Sequence, residues 1–501
     1  MGNRSDYGKG MLRHIHELMQ RVDQLEETLR RERREHQEEV KRLNARISAL
    51  EEENRLLRKD NERMKRILSN DSTNSSLPPS TDQKTKAANT YNHREKSGKT
   101  VGGQPGHKGK TLTKGEVRRK IKEGKIEHKK KNIGDTDSGK YISKYVLDVE
   151  FRVVATELRF YADKKGKIHV PVEYHSDVVY GANVKSLVVD LYSEGVVSND
   201  RICDLVRSIT DGELCLSEGA VYRFCQEFAQ KSESSINDIS AELLNEPVMN
   251  TDSTNVTRNG KQVYIRNQSS KTAVLYTPIE KKNIATLKEK GIISQYTGIL
   301  SHDHETAIYN FGSGHGECNV HICRYLKKNT EETGNSWSGK MSGHLWGIEV
   351  AKKSLMAEGG TCFSRDYLET IERTYKEILV LGRAENRQTK GEVAQREEKA
   401  LLNRMEKYME NHLLFAHDFR VPYSNNRSEQ DLRKCKNRQK MAGGFRKESG
   451  MEMYCTILSV VETAKRKARN IFSCIRSIFR TGRSFLDLSA SCALNFAKAE
   501  L

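Results

Sequence analysis

The longest hydrophobic pattern in the chain lies within its first 70 residues. Between residues 11 and 68, apolar residues recur at alternating steps of three and four, and no proline interrupts them. Such spacing predicts one long helix with an apolar stripe along one side. Val22 and Leu29 belong to one heptad frame, whereas Val40 opens a second, so the stripe is locally unwound between the two frames. We therefore predict a coiled coil over residues 9–69.

Two asparagines in the second frame indicate how this helix pairs. Asn54 and Asn61 occupy heptad positions within the apolar stripe. A buried amide lowers the stability of a coiled coil, but it can pair with its counterpart across a two-stranded parallel seam and fix the register. Homodimerisation is the favoured interpretation. A helical hairpin, or a helix packed on its own chain, is the alternative.

Shorter elements follow the long helix. The stretch that begins at residue 70 is rich in Ser, Asn and Pro, which predicts a linker. Alternating apolar and β-branched residues at 144–163 predict a small sheet. Residues 183–230 are typical of three short helices, with Ser198 and Ser217 as N-caps. Short helices joined by tight turns are compatible with a helix-turn-helix DNA reader and equally with a structural bundle.

From Pro247 onward the pattern predicts a mixed α/β region. Three strand-like segments, VMNTDSTNV, KQVYIRN and TAVLYTP, precede a short helix, NIATLKEKG, and a fourth strand, TGILSHD. Asp252 lies at the end of the first strand and Asp303 at the end of the fourth. Their carboxyl groups can meet at one sheet edge if these two strands are neighbours, which spacing alone does not establish.

A third carboxyl group stands further along the chain, in VPYSNNRSEQDLRKCKNRQK. Asn425 or Asn426 can cap a helix there that carries Glu429. Three cationic residues share one helical face with this glutamate: Arg433, Lys436 and Lys440. A carboxylate followed by cations suits a site that holds metal and grips nearby phosphates. A solvated surface helix with ion pairs would show the same pattern.

The composition points to a polyanionic partner. The 501 residues carry a formal charge of +18, and residues 84–131 hold 16 Lys and Arg against four Asp and Glu. Because neutralising nucleic-acid phosphates releases counterions, this stretch favours contact with DNA over the alternative of a solvated linker. The candidate phosphate contacts within it are Lys108, Lys110, Arg118, Arg119 and Lys120.

Cysteine usage and hydropathy indicate the cellular setting. Ten cysteines without regular spacing do not form the pattern of a disulfide framework and suit reduced thiols. The N-terminus lacks the apolar core of a signal peptide, and no run of about 18 apolar residues occurs. We therefore predict a cytoplasmic protein that does not enter a membrane.

Six motifs occur in the order in which a known family carries them. They are NSSLPPSTD, GGQPGHKGKTL, TDSTNV ahead of NGKQVYIRN, GILSHDHETAIYN, ECNVHICRYLKK and SNNRSEQDLRK. With these motifs the chain resembles transposases of the insertion sequence 66 family over roughly residues 70–475. The resemblance implies a prokaryotic enzyme that acts on the terminal inverted repeats of its element and on target DNA, with accessory transposition proteins as further partners.

The resemblance also implies a ribonuclease H-like core with Asp252, Asp303 and Glu429 as catalytic residues and metal ligands. Three such carboxylates can hold two Mg²⁺ or Mn²⁺ ions about 4 Å apart. One ion activates water or a DNA 3′ hydroxyl, and the other stabilises the leaving oxygen. We expect cleavage of DNA strands followed by strand transfer.

The distance in sequence between the second and third carboxylates predicts an insertion. The 126 residues (429 − 303) exceed what a minimal core requires, and residues 335–415 are largely typical of helices. Trp337 and Trp346 lie near the start of this helical insertion. Each is either a core residue of the insertion or an aromatic ring that stacks on an unpaired base.

Two cysteine patterns bear on zinc. Cys318 and His321 form the CxxH element that the family carries after its second aspartate, but two ligands do not complete a tetrahedral zinc site. We therefore expect a structural contact there. The family commonly has paired cysteines after GGQPGHKG, whereas no cysteine precedes Cys203 here. We expect no zinc, and the local match is weakened further at Ser253, where the family usually has Glu.

The predicted fold class is mixed α/β, with a ribonuclease H-like core, a helical insertion, a long N-terminal coiled-coil helix and a small basic domain. The predicted boundaries are a coiled coil at 9–69, a linker at 70–100, a basic region without cysteine ligands at 101–180, a helical segment at 181–245, a catalytic domain at 246–445 with its insertion at about 335–415, and C-terminal helices at 446–501. An active transposase is the favoured function. A catalytically inactive descendant that binds DNA, a ribonuclease H-like nuclease and a coiled-coil scaffold are the alternatives.

Overall fold

The computed structural model describes residues 4–69, 112–133 and 142–487. Several sequence predictions lie outside the described residues, namely the linker that begins at residue 70, the GGQPGHKGKTL motif with Lys108 and Lys110, and the chain beyond residue 487. The described residues fall into two compact units: a first unit of 4–69, 323–344 and 372–407, and a second unit of 112–133, 142–322, 345–371 and 408–487.

The secondary structure is mainly helical, with one sheet. Among the described residues, the helices are α1 (Arg4–Ser69), α2 (Lys114–Lys122), α3 (Ala182–Ser193), α4 (Asn199–Ile209), α5 (Glu218–Lys231), α6 (Glu233–Leu244), α7 (Ile284–Glu289), α8 (Asn319–Thr333), α9 (Trp337–Ala357), α10 (Arg365–Asn386), α11 (Glu392–Lys407), α12 (Met409–His417), α13 (Asn426–Asp431), α14 (Arg433–Ala442), α15 (Glu448–Arg466) and α16 (Ile471–Thr481). The strands are β1 (Val248–Arg258), β2 (Lys261–Ser269), β3 (Val274–Ile279), β4 (Ile299–His302) and β5 (Gly314–Glu317).

The first unit contains the long helix that the heptad pattern predicts. Helix α1 spans 66 residues without interruption, so the helix itself is confirmed. The apolar residues of its stripe are exposed, and their exposed fractions range from 41% at Val40 to 74% at Leu68. Within this unit α1 contacts the first turn of α11, where Arg55 and Lys59 form ion pairs with Glu392.

The sheet of the second unit has the order β3-β2-β1-β4-β5. β1 pairs antiparallel with β2, and β2 pairs antiparallel with β3, whereas β4 pairs in parallel with β1 and β5 in parallel with β4. The four strands and the helix predicted from residue 247 onward are confirmed as β1 to β4 and α7. β5 was not predicted, because its four residues, GHGE, show neither alternation nor β-branched side chains.

The β1–β2 hairpin follows from its turn sequence. Asn259 and Gly260 both adopt positive φ angles, 47° and 75°, as a tight two-residue hairpin turn requires. This turn sets the register, which places Asp252 of β1 opposite Asn267 of β2. A strand slipped by one residue would turn these side chains to the other face of the sheet.

Helix α15 covers the edge of the sheet at β3. The backbone N–H groups of Val274 and Tyr276 donate to the hydroxyl oxygens of Thr463 and Ser459, at 3.0 and 2.9 Å. These bonds satisfy donors that would otherwise be unpaired at the sheet edge. The core between this sheet and α3 to α6, α15 and α16 is continuous and apolar.

The helical segment before the sheet agrees with its prediction. α3, α4 and α5 are the three predicted helices, and α6 is an addition. Ser198 and Ser217 are their N-caps, because each side chain accepts a backbone N–H bond from three residues ahead. Whether these helices read DNA stays a prediction.

The small sheet predicted at 144–163 is wrong. In the described part of this region the structure has one isolated bridge, Ala162 to Ile168, and no strand. The β-branched residues there have no layer to pack on, with Val146 91% and Val154 72% exposed. β-propensity without burial is therefore insufficient to form a sheet.

The residues predicted as a helical insertion are helical over α9 to α12. Of the two interpretations of Trp337, the core residue is confirmed and the stacking role is wrong. Its side chain is fully buried, and its indole N–H donates to Glu398 at 2.7 Å. Trp346 is 37% exposed, and its role stays open as a prediction. No helix in the described ranges has the length and apolar character needed to cross a bilayer.

Candidate active site

Strands β4 and β5 of the second unit end at the same level, whereas the parallel strand β1 continues to Arg258. The predicted position of Asp252 at the end of the first strand is therefore wrong, because Asp252 lies within β1, which the hairpin with β2 extends. The register pairs Thr251 of β1 with His302 of β4, and His302 with Glu317 of β5. The residues that follow these three along the chain are Asp252, Asp303 and Cys318. β1 and β4 are neighbouring strands in the interior of the sheet. The two aspartates predicted from sequence therefore lie side by side at the level where β4 ends, and this place is called the sheet edge below.

The third predicted carboxylate, Glu429, lies near Asp303, and His321 lies close to both. Helix α8 begins directly after β5, and His321 lies in its first turn. Its Nδ1 atom is 3.2 Å from Asp303 Oδ1 and 3.8 Å from Glu429 Oε1. Glu429, on α13, therefore lies beside Asp303 although the insertion separates them in sequence.

Asn425 attaches the start of α13 to β1. Although it occupies the N-cap position, its side chain makes no capping bond. Its side-chain amide instead donates to the carbonyl of Thr251 at 2.9 Å and accepts from Asn250 at 3.0 Å. Its backbone N–H points at Cys318 Sγ at 3.2 Å. The predicted cap is wrong for both candidates, since Asn426 is already the first residue of α13.

Asn267 joins β1 to α13 from the other side, and no sequence pattern indicated it. Its side-chain oxygen accepts the backbone N–H of Asp252 at 2.9 Å. Its side-chain amide donates to the carbonyl of Ser428 and to Asp431, both at 3.3 Å. Asp431 in turn forms an ion pair with Arg466 of α15. The segments that carry Asp252 and Glu429 are therefore fixed together by buried polar bonds.

The pKa values of the two aspartates are shifted in opposite directions. Burial and then the like charge of Asp303 raise the pKa of Asp252 above its ordinary value. Burial opposes ionisation of Asp303 too, but contact with the His321 imidazole outweighs it and lowers the pKa of Asp303. Burial likewise opposes the charge on His321, yet Asp303 and Cys318 raise its pKa well above the ordinary range.

A family model described as Transposase IS66 family matches residues 178–453, more than half of the chain. The chain belongs to this transposase family. All three converging carboxylates of the transposase lie within the matched residues. A second model, described as Family of unknown function (DUF6444), matches residues 25–113. No curated protein matches the chain.

The cationic residues predicted beside the third carboxylate of the transposase lie on a separate helix. A turn at Leu432 divides the expected single helix into α13, with Glu429, and α14. The three cations on α14 are exposed: Arg433, Lys436 and Lys440. On α2, Arg118 and Arg119 are exposed and Lys120 is partly exposed.

Proposed function

We propose that this transposase cleaves and joins DNA strands by in-line phosphoryl transfer, with Asp252, Asp303 and Glu429 as metal ligands. The observation that carries the proposal is the convergence of these carboxyl groups from two neighbouring strands and a distant helix. Desolvated carboxylates at close range disfavour one another's ionisation. Divalent cations between them would remove this repulsion, and the raised pKa of Asp252 supports that requirement.

The oxygen atoms of the site suit Mg²⁺, with Mn²⁺ as a substitute. Asp303 Oδ1 and Glu429 Oε1 are buried and accept no hydrogen bond of normal geometry within the described part of the chain. Hard divalent cations bind such carboxylate oxygens. Two bound ions would activate the attacking oxygen and stabilise the leaving oxygen. Asn425 and Asn267 would keep the carboxylates in place for these ions.

The sheet order supports a ribonuclease H-like core. Such a core requires the first and fourth strands to be neighbours, and β1 pairs with β4 in parallel from Val248 to Thr251. The helices α9 to α12 between β5 and α13 would then be an insertion into this core. Their length accounts for the sequence separation of Asp303 and Glu429.

Two cationic surfaces support DNA binding. Arg433, Lys436 and Lys440 are exposed on the helix that follows Glu429, a position from which they would contact phosphates beside the cleaved bond. Arg118, Arg119 and Lys120 on α2 would add contacts that do not depend on sequence. Charge reversal on either helix should weaken DNA binding and reduce its dependence on salt concentration.

We also propose that α1 pairs with α1 of a second copy. Asn54 and Asn61 lie in its apolar stripe, whereas Arg55 and Lys59, which contact α11, occupy heptad positions outside it. The contact with α11 therefore leaves the stripe open. Ile47→Glu together with Leu50→Glu should convert the full-length protein from dimer to monomer in analytical ultracentrifugation. Ser48→Glu, outside the stripe, should leave the dimer intact, and a monomeric unsubstituted protein would contradict the proposal.

A cleavage and strand-transfer assay with labelled DNA from the ends of the element tests the proposed function. Alanine at Asp252, Asp303 or Glu429 should abolish Mg²⁺-dependent cleavage and leave DNA binding measurable. The control is Asp366→Asn, because Asp366 is an exposed carboxylate on α10. Cleavage without joining would favour a nuclease, and binding without cleavage would favour an inactive descendant.

A further inference from the structure

The CxxH element has more ligands around it than its own two residues supply. Cys318 Sγ, a nitrogen of His321 and a carboxylate oxygen of Asp303 all lie within 4.8 Å of one another. Glu429 lies beside this group, with its Oε1 atom 3.8 Å from His321 Nδ1, but it is not a member of the group. A thiol, an imidazole and one carboxyl group are thus gathered where β4 and β5 end. The CxxH element supplies the first two, and Asp303 joins them because it follows β4, the neighbour of β5.

We propose that Cys318, His321 and Asp303 form a zinc site, and that zinc bound there inhibits the transposase. The inhibitory part rests on the proposed function, because zinc would occupy Asp303, one of its three metal ligands. Three protein ligands would leave the fourth tetrahedral position to a water molecule. Zinc and Mg²⁺ would therefore compete for Asp303.

The ligand types favour zinc over magnesium. Thiolate and imidazole are preferred zinc ligands, whereas Mg²⁺ takes oxygen ligands and retains water. Neighbouring ligand atoms of a tetrahedral zinc ion lie about 3.3 to 3.8 Å apart, given bond lengths of about 2.0 to 2.3 Å. The separation of His321 Nδ1 from Asp303 Oδ1, 3.2 Å, is close to this range.

The surroundings of the three side chains support the site independently. Cys318 is 2% exposed, and the backbone N–H of Asn425 points at its sulfur at 3.2 Å, which would stabilise a thiolate. Asp303 Oδ1 is buried, and His321 Nδ1 faces it at 3.2 Å without a hydrogen bond of normal geometry in the described residues. A metal ion bound to both atoms would replace this contact.

Cobalt and zinc titrations of the full-length protein test the site. Co²⁺ bound through Cys318 should give a sulfur-to-metal charge-transfer band in the absorption spectrum, and zinc should displace it with one ion per chain. Cys318→Ser should remove the band and weaken zinc binding by more than about tenfold, the loss typical even of outer-shell changes. Cys215→Ser, at an exposed thiol, is the matched control and should change neither. A protein without the band, or a band that survives Cys318→Ser, would overturn the site.

A second measurement separates this inference from the proposed function. Zinc should inhibit Mg²⁺-dependent cleavage in the unsubstituted protein, and His321→Gln should raise the zinc concentration needed for inhibition more than about tenfold. Asp252→Ala should abolish cleavage while the cobalt band remains, since Asp252 is not a zinc ligand. Loss of the band with cleavage intact would remove the zinc site alone. An intact band without any Mg²⁺-dependent cleavage would remove the proposed function alone.

Discussion

Carboxyl groups that are wholly or partly buried occur in both compact units, but their surroundings differ. In the first unit, Glu398 of α11 is 1% exposed, and donors surround both of its oxygen atoms. These donors are Asn329, Asn335 and Trp337 to Oε1, and Asn386 and Thr389 to Oε2. Burial disfavours its ionisation, yet the hydrogen bonds outweigh burial and lower its pKa.

Asp252 and Glu429 at the candidate site of the second unit lack such a set of donors. Asp252 faces the like charge of Asp303, and its pKa is raised rather than lowered. Glu429 Oε1 accepts no hydrogen bond of normal geometry from the described residues. Asp303 is intermediate, because contacts with His321 and Asn425 lower its pKa against the effect of burial.

The difference separates a carboxylate that supports the fold from carboxylates that we propose as metal ligands. A satisfied buried charge stabilises one arrangement of helices, and removing it leaves its donors without partners. Unsatisfied, mutually repelling carboxylates destabilise the metal-free protein, and perturbed pKa values of this kind cluster at functional sites. Substitutions in the two groups should therefore affect opposite properties.

The largest effect should come from Asp252→Asn. The amide keeps the shape of the side chain but removes the charge that a metal ion needs, so cleavage should fall by about a thousandfold, or about 4 kcal/mol. The Tm should stay unchanged or rise, because the repulsion with Asp303 is removed. Cleavage rates under single-turnover conditions and differential scanning calorimetry measure the two quantities. A large drop in Tm would place Asp252 with Glu398 as a structural group.

Glu398→Ala should reduce the stability of the first unit rather than the cleavage rate. Its five donors would lose their acceptor in a buried setting, so the free energy of unfolding should fall by about 4 kcal/mol. Urea denaturation followed by circular dichroism measures this change. The control is Glu397→Ala at the exposed neighbouring position, where we expect a loss below about 1 kcal/mol. Equal losses at the two positions would contradict the structural role of Glu398.

Local patterns predicted most of the elements. Heptad spacing is a property of adjacent turns, so α1 was predictable without knowledge of the fold. The serine N-caps and strands β1 to β4 depend on similarly short segments. The predicted sheet at 144–163 failed because β-branched residues form strands only where another layer buries them. Trp337 was ambiguous because its partner, Glu398, lies 61 residues away.

The candidate site was predictable only in part. Asp252, Asp303 and Glu429 were found because the family carries acidic motifs around them, and the parallel β1–β4 pair brings the first two together. Asn267 was missed because its contacts at Ser428 and Asp431 lie more than 160 residues away in sequence. Such positioning residues leave no local signal, since their role depends on register and packing.

Asn425→Ala should have an intermediate effect. Without the amide, the start of α13 loses its bonds to Asn250 and Thr251, and Glu429 is less firmly held near Asp303. Cleavage should fall about 10- to 100-fold, as is typical for residues that orient metal ligands. The Mg²⁺ concentration for half-maximal cleavage should rise, and excess Mg²⁺ should restore part of the rate. A purely structural role would not shift that concentration.

The matched control for this substitution is Asn426→Ala. Asn426 is the next residue along the chain and is exposed. The Asn426→Ala substitution should leave both the cleavage rate and the Mg²⁺ requirement near those of the unsubstituted protein. Comparable defects in the two variants would show that the helix start as a whole matters, rather than the buried amide of Asn425.

The smallest effect should be a link between Mg²⁺ binding and pH. Since burial and Asp303 raise the pKa of Asp252, the metal-free protein keeps a proton on this carboxyl group above the ordinary range of aspartate. Mg²⁺ binds the carboxylate, so binding releases that proton, and the affinity for Mg²⁺ should increase as pH rises through the raised pKa. The slope is at most about tenfold per pH unit for one proton, and it vanishes at higher pH, where Asp252 is already ionised.

Isothermal titration calorimetry in buffers of different ionisation enthalpy measures this released proton directly. His321 is a second group that can release a proton, because contact with Asp303 raises its pKa and Mg²⁺ bound to Asp303 would weaken that contact. Asp252→Asn should therefore lower the number of protons released, whereas Asp366→Asn should leave it unchanged. Hydrogen bonds lower the pKa of Glu398, which should contribute no proton, so an unchanged proton release in Asp252→Asn would contradict the role of Asp252.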